Sequence, residues 1–300
     1  MKTDFYTEIS HNKWRTFFLL FFFSFIIILL GWVFSVALGG SAYIGMFFAF
    51  IIAIIFGLIG YYTGDKTVLA ISKAKPVTHK DDPFLWNTVE GLAIAAGIPM
   101  PKLYLIEETS INAFATGRDP QHASIAVTSG ARKRLNRTEL EGVIAHEMSH
   151  IKNYDIRYMV LVAVLVGFVA LFSDFMLRTF LWGGGNRDRD RGGIGIIFIL
   201  LAIVLAILAP LIAQLIKFSI SRKREYLADA SGAMLTRYPA GLANALKKIR
   251  DDHDKVVDTA NKATAHLYIE NPLRNIKGAF NSMFSTHPDI NDRIKRLEGM

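Results

Sequence analysis

Two apolar runs without a single charge leave this chain little freedom. They extend from about Thr16 to Leu38 and from about Ala42 to Thr63, with only Gly39, Gly40 and Ser41 between them. A helix needs about 20 apolar residues to cross the hydrocarbon of a bilayer, so both runs are long enough and a tight helical hairpin is predicted. A cleaved signal peptide has an apolar core of roughly 7–15 residues; the first run is longer, and a second follows at once. Two further stretches reach spanning length, Tyr158 to Trp182 and Ile194 to Ile216. The third carries Asp174 and Arg178, one helical turn apart, and the fourth carries Pro210. A charge deep in lipid costs on the order of 3 kcal/mol, so these two either pair or sit at the interface. A soluble-core or re-entrant reading of the last two stretches therefore stays open.

Charge orients the spans. Lys2, Lys13 and Arg15 precede the first, Lys66, Lys73, Lys75 and Lys80 follow the second, and Lys217, Arg222, Lys223 and Arg224 follow the fourth. The positive-inside rule puts these flanks in the cytoplasm. Arg187, Arg189 and Arg191, between the third and fourth stretches, are the exception, partly balanced by Asp188 and Asp190. Lys+Arg 34 against Asp+Glu 26 leaves +8, which reads as a topology signal with some affinity for anionic lipid. Nucleic-acid binding would need a basic groove with stacking aromatics, and the sequence offers none.

Cysteine is absent. That excludes disulfides, thiolate catalysis and every Cys-based zinc or iron–sulfur site. Any metal must be held by His and carboxylates. The expected architecture is a mainly α (α+β) membrane protein with four transmembrane helices and a cytoplasmic catalytic domain in two parts. The predicted segments are a tail over 1–15, spans over 16–38 and 42–63, a polar block over 64–157, spans over 158–182 and 194–216, and a second polar block over 217–300. In the first block Phe84, Leu85, Val89 and Leu92 share a helical face, and the helix stops at Gly97-Ile-Pro. Leu103–Ile106, Ala113–Thr116 and Ser124–Thr128 read as short strands. Thr138-Glu-Leu-Glu opens a helix with capping-box spacing, expected to run on into the third span.

That helix carries H-E-x-x-H as His146-Glu147-Met-Ser-His150. Residues four apart on a helix differ by about 40° around its axis, so both imidazoles reach one ion and Glu147 projects beside them as a base for water. A metzincin would need Gly at 153 and His at 156, where this chain has Asn153 and Ile156. The third ligand must come from elsewhere. Glu225, four residues before Asp229 on the helix expected after the fourth span, is the best candidate. Asp229 would then accept the spare N–H of a ligating imidazole. The competing reading of Arg222–Asp229 is a solvated charged turn with interfacial arginines. Asp155, just after the motif, is a further candidate for the same supporting role. No phosphate-binding G-x-x-x-x-G-K-[ST] loop occurs, so ATP-driven unfolding of a substrate is not expected.

H-E-M-S-H-I-K-N-Y-D, S-R-K-R-E-Y-L-A-D, N-A-F-A-T-G and T-H-P-D-I-N-D-R-I together resemble the HtpX family of bacterial membrane metalloproteases, related to the CAAX prenyl proteases. The resemblance covers nearly the whole chain. It implies a Glu-zincin site with one Zn2+ per chain, held by His146, His150 and Glu225, with Glu147 catalytic. It further implies that Asn112 and Ala113 lie on an edge strand that holds extended substrate by β-augmentation. His287 would approach the site as a hydrogen-bond donor to the oxyanion. The implied role is quality control of misfolded or unfolded membrane proteins, cut at cytoplasmic segments, in the plasma membrane. Two rivals remain: a CAAX-type prenyl-protein endopeptidase, whose relatives have more spans, and a non-enzymatic zinc-regulated membrane transporter, which predicts polar residues at the midplane of several spans.

Overall fold

A computed structural model describes residues 5–37, 40–182, 222–253, 260, 263–270, 272 and 288–300. The fourth predicted span, 194–216, the loop before it and His287 lie outside the described residues. The first two apolar runs form the predicted hairpin, α1 (Phe5–Ala37) and α2 (Ala42–Ile71). The helix α1 begins inside the segment expected to be a tail. Glycine sets how closely the two helices approach: a Cβ on Gly31 would fall 2.3 Å from Ala49 Cβ and 2.6 Å from the Gly45 carbonyl oxygen. Phe17, Phe18, Phe21, Phe47, Phe48 and Ile52 point outward and are exposed. Such a contiguous apolar surface is a binding surface for something apolar, and both helices are long enough for that to be the hydrocarbon of a bilayer. Among the described residues, two segments are long and apolar enough to cross a membrane, Asn12–Trp32 and Ala42–Ile71.

The helix expected over 158–182 is present as a third long helix (Asp155–Trp182), α6 in chain order. It docks on α2, where a Cβ on Gly64 would lie 2.6 Å from Val160 Cγ1. On its other flank Leu161, Val162 and Leu165 join Leu19 and Phe23 of α1 in one apolar cluster.

Between the hairpin and this helix lies the predicted helix α3 (Pro83–Ala96), started by Asp82, which accepts the Leu85 N–H at 3.0 Å, and ended by Gly97 at φ 68°. Only glycine takes that left-handed value without strain. Four strands follow a mixed order, β1-β2-β4-β3. The outer pairs are antiparallel and β2 (Lys102–Ile106) runs parallel to β4 (Ala123–Thr128), in register Leu103 with Ile125 and Leu105 with Val127. The strand β3 (Ala113–Gly117) is an edge, and β1 is the two-residue Lys75–Pro76, too short to show in sequence. Every residue of β3 and β4 is buried, because both faces are covered. Ala113, Ala115, Ile125 and Val127 share a cluster with Val143, Ile144 and Met148 of the helix that carries the H-E-x-x-H motif. Phe114 and Ala126 face Val68 and Leu69 of α2 and Met159 and Ala163 of α6. The sheet thus lies between the motif helix on one face and the long apolar helices α2 and α6 on the other.

Among the described residues the remaining α-helices are α4 (Ser129–Arg134), α5 (Arg137–Lys152), α7 (Arg222–Thr236), α8 (Pro239–Arg250) and α9 (Ile290–Glu298). The capping box of α5 uses Asn136 and Glu139, two residues before the expected pair. Thr138 lies inside the first turn, its hydroxyl donating to the Asn136 side chain at 2.9 Å. Nor does α5 continue into α6. It ends at Lys152, Tyr154 takes φ 59°, and a new helix starts at Asp155.

Candidate metal centre

The chemistry sits where α5 and α7 cross. Their closeness comes from Gly232, whose Cβ, if present, would fall 3.0 Å from the His146 backbone nitrogen. At that approach Glu225, two turns earlier on α7, faces the His pair of α5. His146 Nε2 and His150 Nε2 are 3.2 Å apart, and Glu225 oxygens lie 3.8 Å from the first and 3.5 Å from the second. A tetrahedral ion with bonds of about 2.0–2.1 Å has ligand atoms about 3.3 Å apart. The three residues are buried, and one ligand atom from each lies within 4.8 Å of the others. The donor set fits a metal ion.

The remaining ring nitrogens support the same reading. His146 Nδ1 donates to Asp229 Oδ1 at 2.9 Å, and His150 Nδ1 to Asp155 Oδ2 at 2.9 Å. Both Nε2 lone pairs then converge on one point, which only a cation can occupy. In the metal-free protein that cation is a proton. Burial alone would lower the His150 pKa, but Asp155, Glu225 and Glu147 outweigh it and push the imidazole up to about 9.

Asp229 is held in turn by Arg293 of α9, which donates Nε to Oδ2 at 2.9 Å and Nη2 to Oδ1 at 2.7 Å. Burial pushes the Asp229 carboxyl up, but the Arg293 charge and the His146 hydrogen bond prevail and hold it at about 2. The fully buried Arg293 also donates Nη1 to the Ile269 carbonyl at 3.0 Å and stands 3.7 Å from Glu225 Oε2. Glu147 is buried beside the ligands, its carboxylate accepting the Ala115 N–H of β3; burial raises its pKa despite the two imidazoles.

Sequence reasoning placed Glu225 and Asp229 beside the His pair, and all four side chains meet here. It weighed Asp155, which the turn at Tyr154 folds back onto His150. It missed Arg293, Arg224 and Asn12. A signal existed: Arg293 shares the face of α9 with Ile290, Ile294 and Leu297, where a charge is out of place unless paired inside.

Ala113 begins β3 and Asn112 directly precedes it, and the edge beside them is partly occupied. The Ala113 carbonyl accepts the Ile269 N–H at 3.0 Å, and Asn112 Nδ2 donates to the Glu270 carbonyl at 3.0 Å. Tyr268 packs edge-on against Phe114, ring centroids 4.9 Å apart. The segment before Glu270 thus lies along β3 and pairs with it as a single antiparallel bridge, Tyr268 with Phe114.

A buried pair of helix-borne imidazoles, a carboxylate from a second helix and a buried acid one residue into the motif define a metallopeptidase of the H-E-x-x-H type. Residues 79–300 match the profile of peptidase family M48. The chain is 45% identical over 296 residues to a protein named Protease HtpX homolog from Dictyoglomus turgidum, covering 99% of this chain and 95% of that one. A protein of the same name from Caldanaerobacter subterraneus is 43% identical over 305 residues, covering 100% and 99%. The crystal structure of Ste24p from S. mikatae shares the fold at TM-score 0.51 and 20% identity, covering 96% of this chain and 66% of that one, just under two thirds of its length. The chain belongs to peptidase family M48 and is a membrane metalloprotease of the HtpX type.

Proposed function

We propose that this protein is a zinc-dependent endopeptidase of a bacterial plasma membrane that cuts misfolded or unfolded membrane proteins at their cytoplasmic segments. The observation that carries the reading is the convergence of His146, His150 and Glu225 beside buried Glu147, on a sheet packed directly against the membrane helices. Zinc, held by the two Nε2 atoms and Glu225, would polarise the scissile carbonyl and lower the pKa of water to about 7. Glu147 then takes the proton from the attacking water and delivers it to the leaving amine. The Ala115 N–H keeps that carboxylate aimed along β3. Asn112 and Ala113 supply edge groups for an extended peptide. Because Ile269 already fills the Ala113 carbonyl, a substrate strand there must displace it, which favours long unfolded segments over short peptides. The lysine-rich flanks put the site in the cytoplasm, and His287 is assigned to the oxyanion.

The test compares wild type with Glu147→Ala in detergent, reloaded with zinc after chelation. Equal zinc content with cleavage of an unfolded protein by wild type alone supports the reading. Cleavage by the variant, or no zinc in wild type, overturns it. Preference for a farnesylated peptide over the unfolded protein would transfer the assignment to prenyl-protein processing.

A further inference from the structure

The two imidazoles are backed by different parts of the chain. Behind His146 stand Asp229 and Arg293, both from the C-terminal block. Behind His150 stands Asp155, whose Oδ2 takes the Nδ1 hydrogen. The other Asp155 oxygen, Oδ1, accepts from Asn12 Nδ2 at 2.8 Å and from Arg224 Nη1 at 3.2 Å. Asn12 belongs to α1, the helix that continues as the first membrane span.

Asn12 is only 1% exposed. Its second N–H donates to the Asn153 carbonyl at 2.9 Å, and its Oδ1 accepts Arg224 Nη1 at 3.2 Å. Both amide donors and the acceptor are therefore used. One donor bridges the turn that separates α5 from α6, and the other holds the carboxylate which that turn presents. Thr16, whose hydroxyl donates to the Asn12 carbonyl at 2.8 Å, and then Leu19 and Phe23, continue the same buried stripe of α1. The placement of Asn12 is thus fixed by the packing of the membrane helix on α6.

We propose that Asn12 is a positioning residue of the metal centre: from the N-terminal membrane helix it fixes Asp155, and through Asp155 the Nε2 lone pair of His150. The inference rests on the metallopeptidase site proposed above. A partner one step behind a ligand, as Asp155 is, is worth about 10–100-fold in metal affinity; Asn12, one step further back, acts through it and carries part of that effect.

The test uses the full chain in detergent, with zinc competition against a chelator, and kcat and KM on an unfolded protein. Three variants are compared: Asn12→Ala, the isosteric Asn12→Asp, which replaces the donors with a carboxylate facing Asp155, and exposed Arg15→Ala on the same turn. Zinc retention is expected to fall about 3–10-fold in Asn12→Ala, short of the full loss of Asp155, and at least as far in Asn12→Asp. In both, kcat falls and KM holds, while Arg15→Ala matches wild type. Retention within about twofold of wild type in either Asn12 variant overturns the proposal, since about 3-fold is the least expected. So does a loss in Asn12→Ala fully accounted for by unfolding of the metal-free protein at the assay temperature. Wild type that binds no zinc would instead sink the metallopeptidase reading itself.

Discussion

Replacing Asp155 by Asn tests the charge logic of the metal centre directly. Asp155 is the leading cause that raises the His150 pKa against its burial, to about 9 in the metal-free protein. Metal binding requires that proton to leave. At pH 7, two units below about 9, the competition costs wild type about a hundredfold in apparent zinc affinity. The sign follows from the raised value. The proton stabilises metal-free protein fully below pH ~6.5 and stops doing so as pH rises through about 9. Asp155→Asn removes the raising charge, so the proton competes less. It also removes the acceptor that orients His150, which costs about 10–100-fold at every pH. The gap in zinc affinity between wild type and variant should then be widest at pH ~9.5 and shrink by up to about a hundredfold at pH ~7. Ionisation of water on the metal affects both proteins equally and cancels in the difference. Chelator competition in one detergent from pH ~6.5 to ~9.5 measures it. A gap that is constant with pH would refute the reasoning, because it would mean that His150 is already neutral near pH 7 without metal.

Gly232→Ala should separate α7 from α5, since the new Cβ would meet only backbone: His146 N at 3.0 Å, Ala145 C at 3.2 Å and His146 Cα at 3.3 Å. A cost of about 1–3 kcal/mol and weaker zinc retention are expected together; lower thermal stability with unchanged retention would show that Glu225 is placed by other contacts. Asn136→Ala should destabilise by about 1 kcal/mol and Asn136→Asp by much less, read from thermal unfolding, because both Asn and Asp can accept the Glu139 N–H. Asp82→Ala removes the cap of α3 and the Arg132 ion pair. Burial pushes the Asp82 carboxyl up, but Arg132 and the Leu85 amide lower it overall. This depressed value makes the contribution present above pH ~4 and lost as pH falls further. The partly exposed pair warrants only ~1 kcal/mol, and the difference in melting temperature between wild type and Asp82→Ala should close by pH ~3.

What could be read from the sequence is whatever lies within one helix or one strand. His146, Glu147 and His150 are fixed relative to one another by helical geometry alone. Strands 102–106, 113–117 and 123–128 were visible as apolar runs because β4 is covered on both faces. The break between α5 and α6 was not visible, because Tyr154 at φ 59° is neither Gly nor Pro. The pairing of β3 with residues 268–269 was equally hidden, since it joins segments over 150 positions apart.

The groups that support the ligands were hidden for a different reason. Each is a polar residue at a position whose neighbours on the helix are buried: Asn12 with Thr16 and Leu19, Arg293 with Ile290 and Ile294, Arg224 with Ala228. A lone polar residue on a buried stripe has to find its partner inside, because an unmatched one costs about 1–3 kcal/mol and a charge more. Read this way, three such residues on three helices each require a buried acceptor as partner. The acids Asp155 and Asp229 supply it, Asp155 to Asn12 and Arg224, Asp229 to Arg293. Those acids are themselves buried only because the imidazoles need them. The metal centre therefore explains why a membrane helix carries a buried asparagine and why a short amphipathic helix carries a buried arginine, neither of which local propensity accounts for.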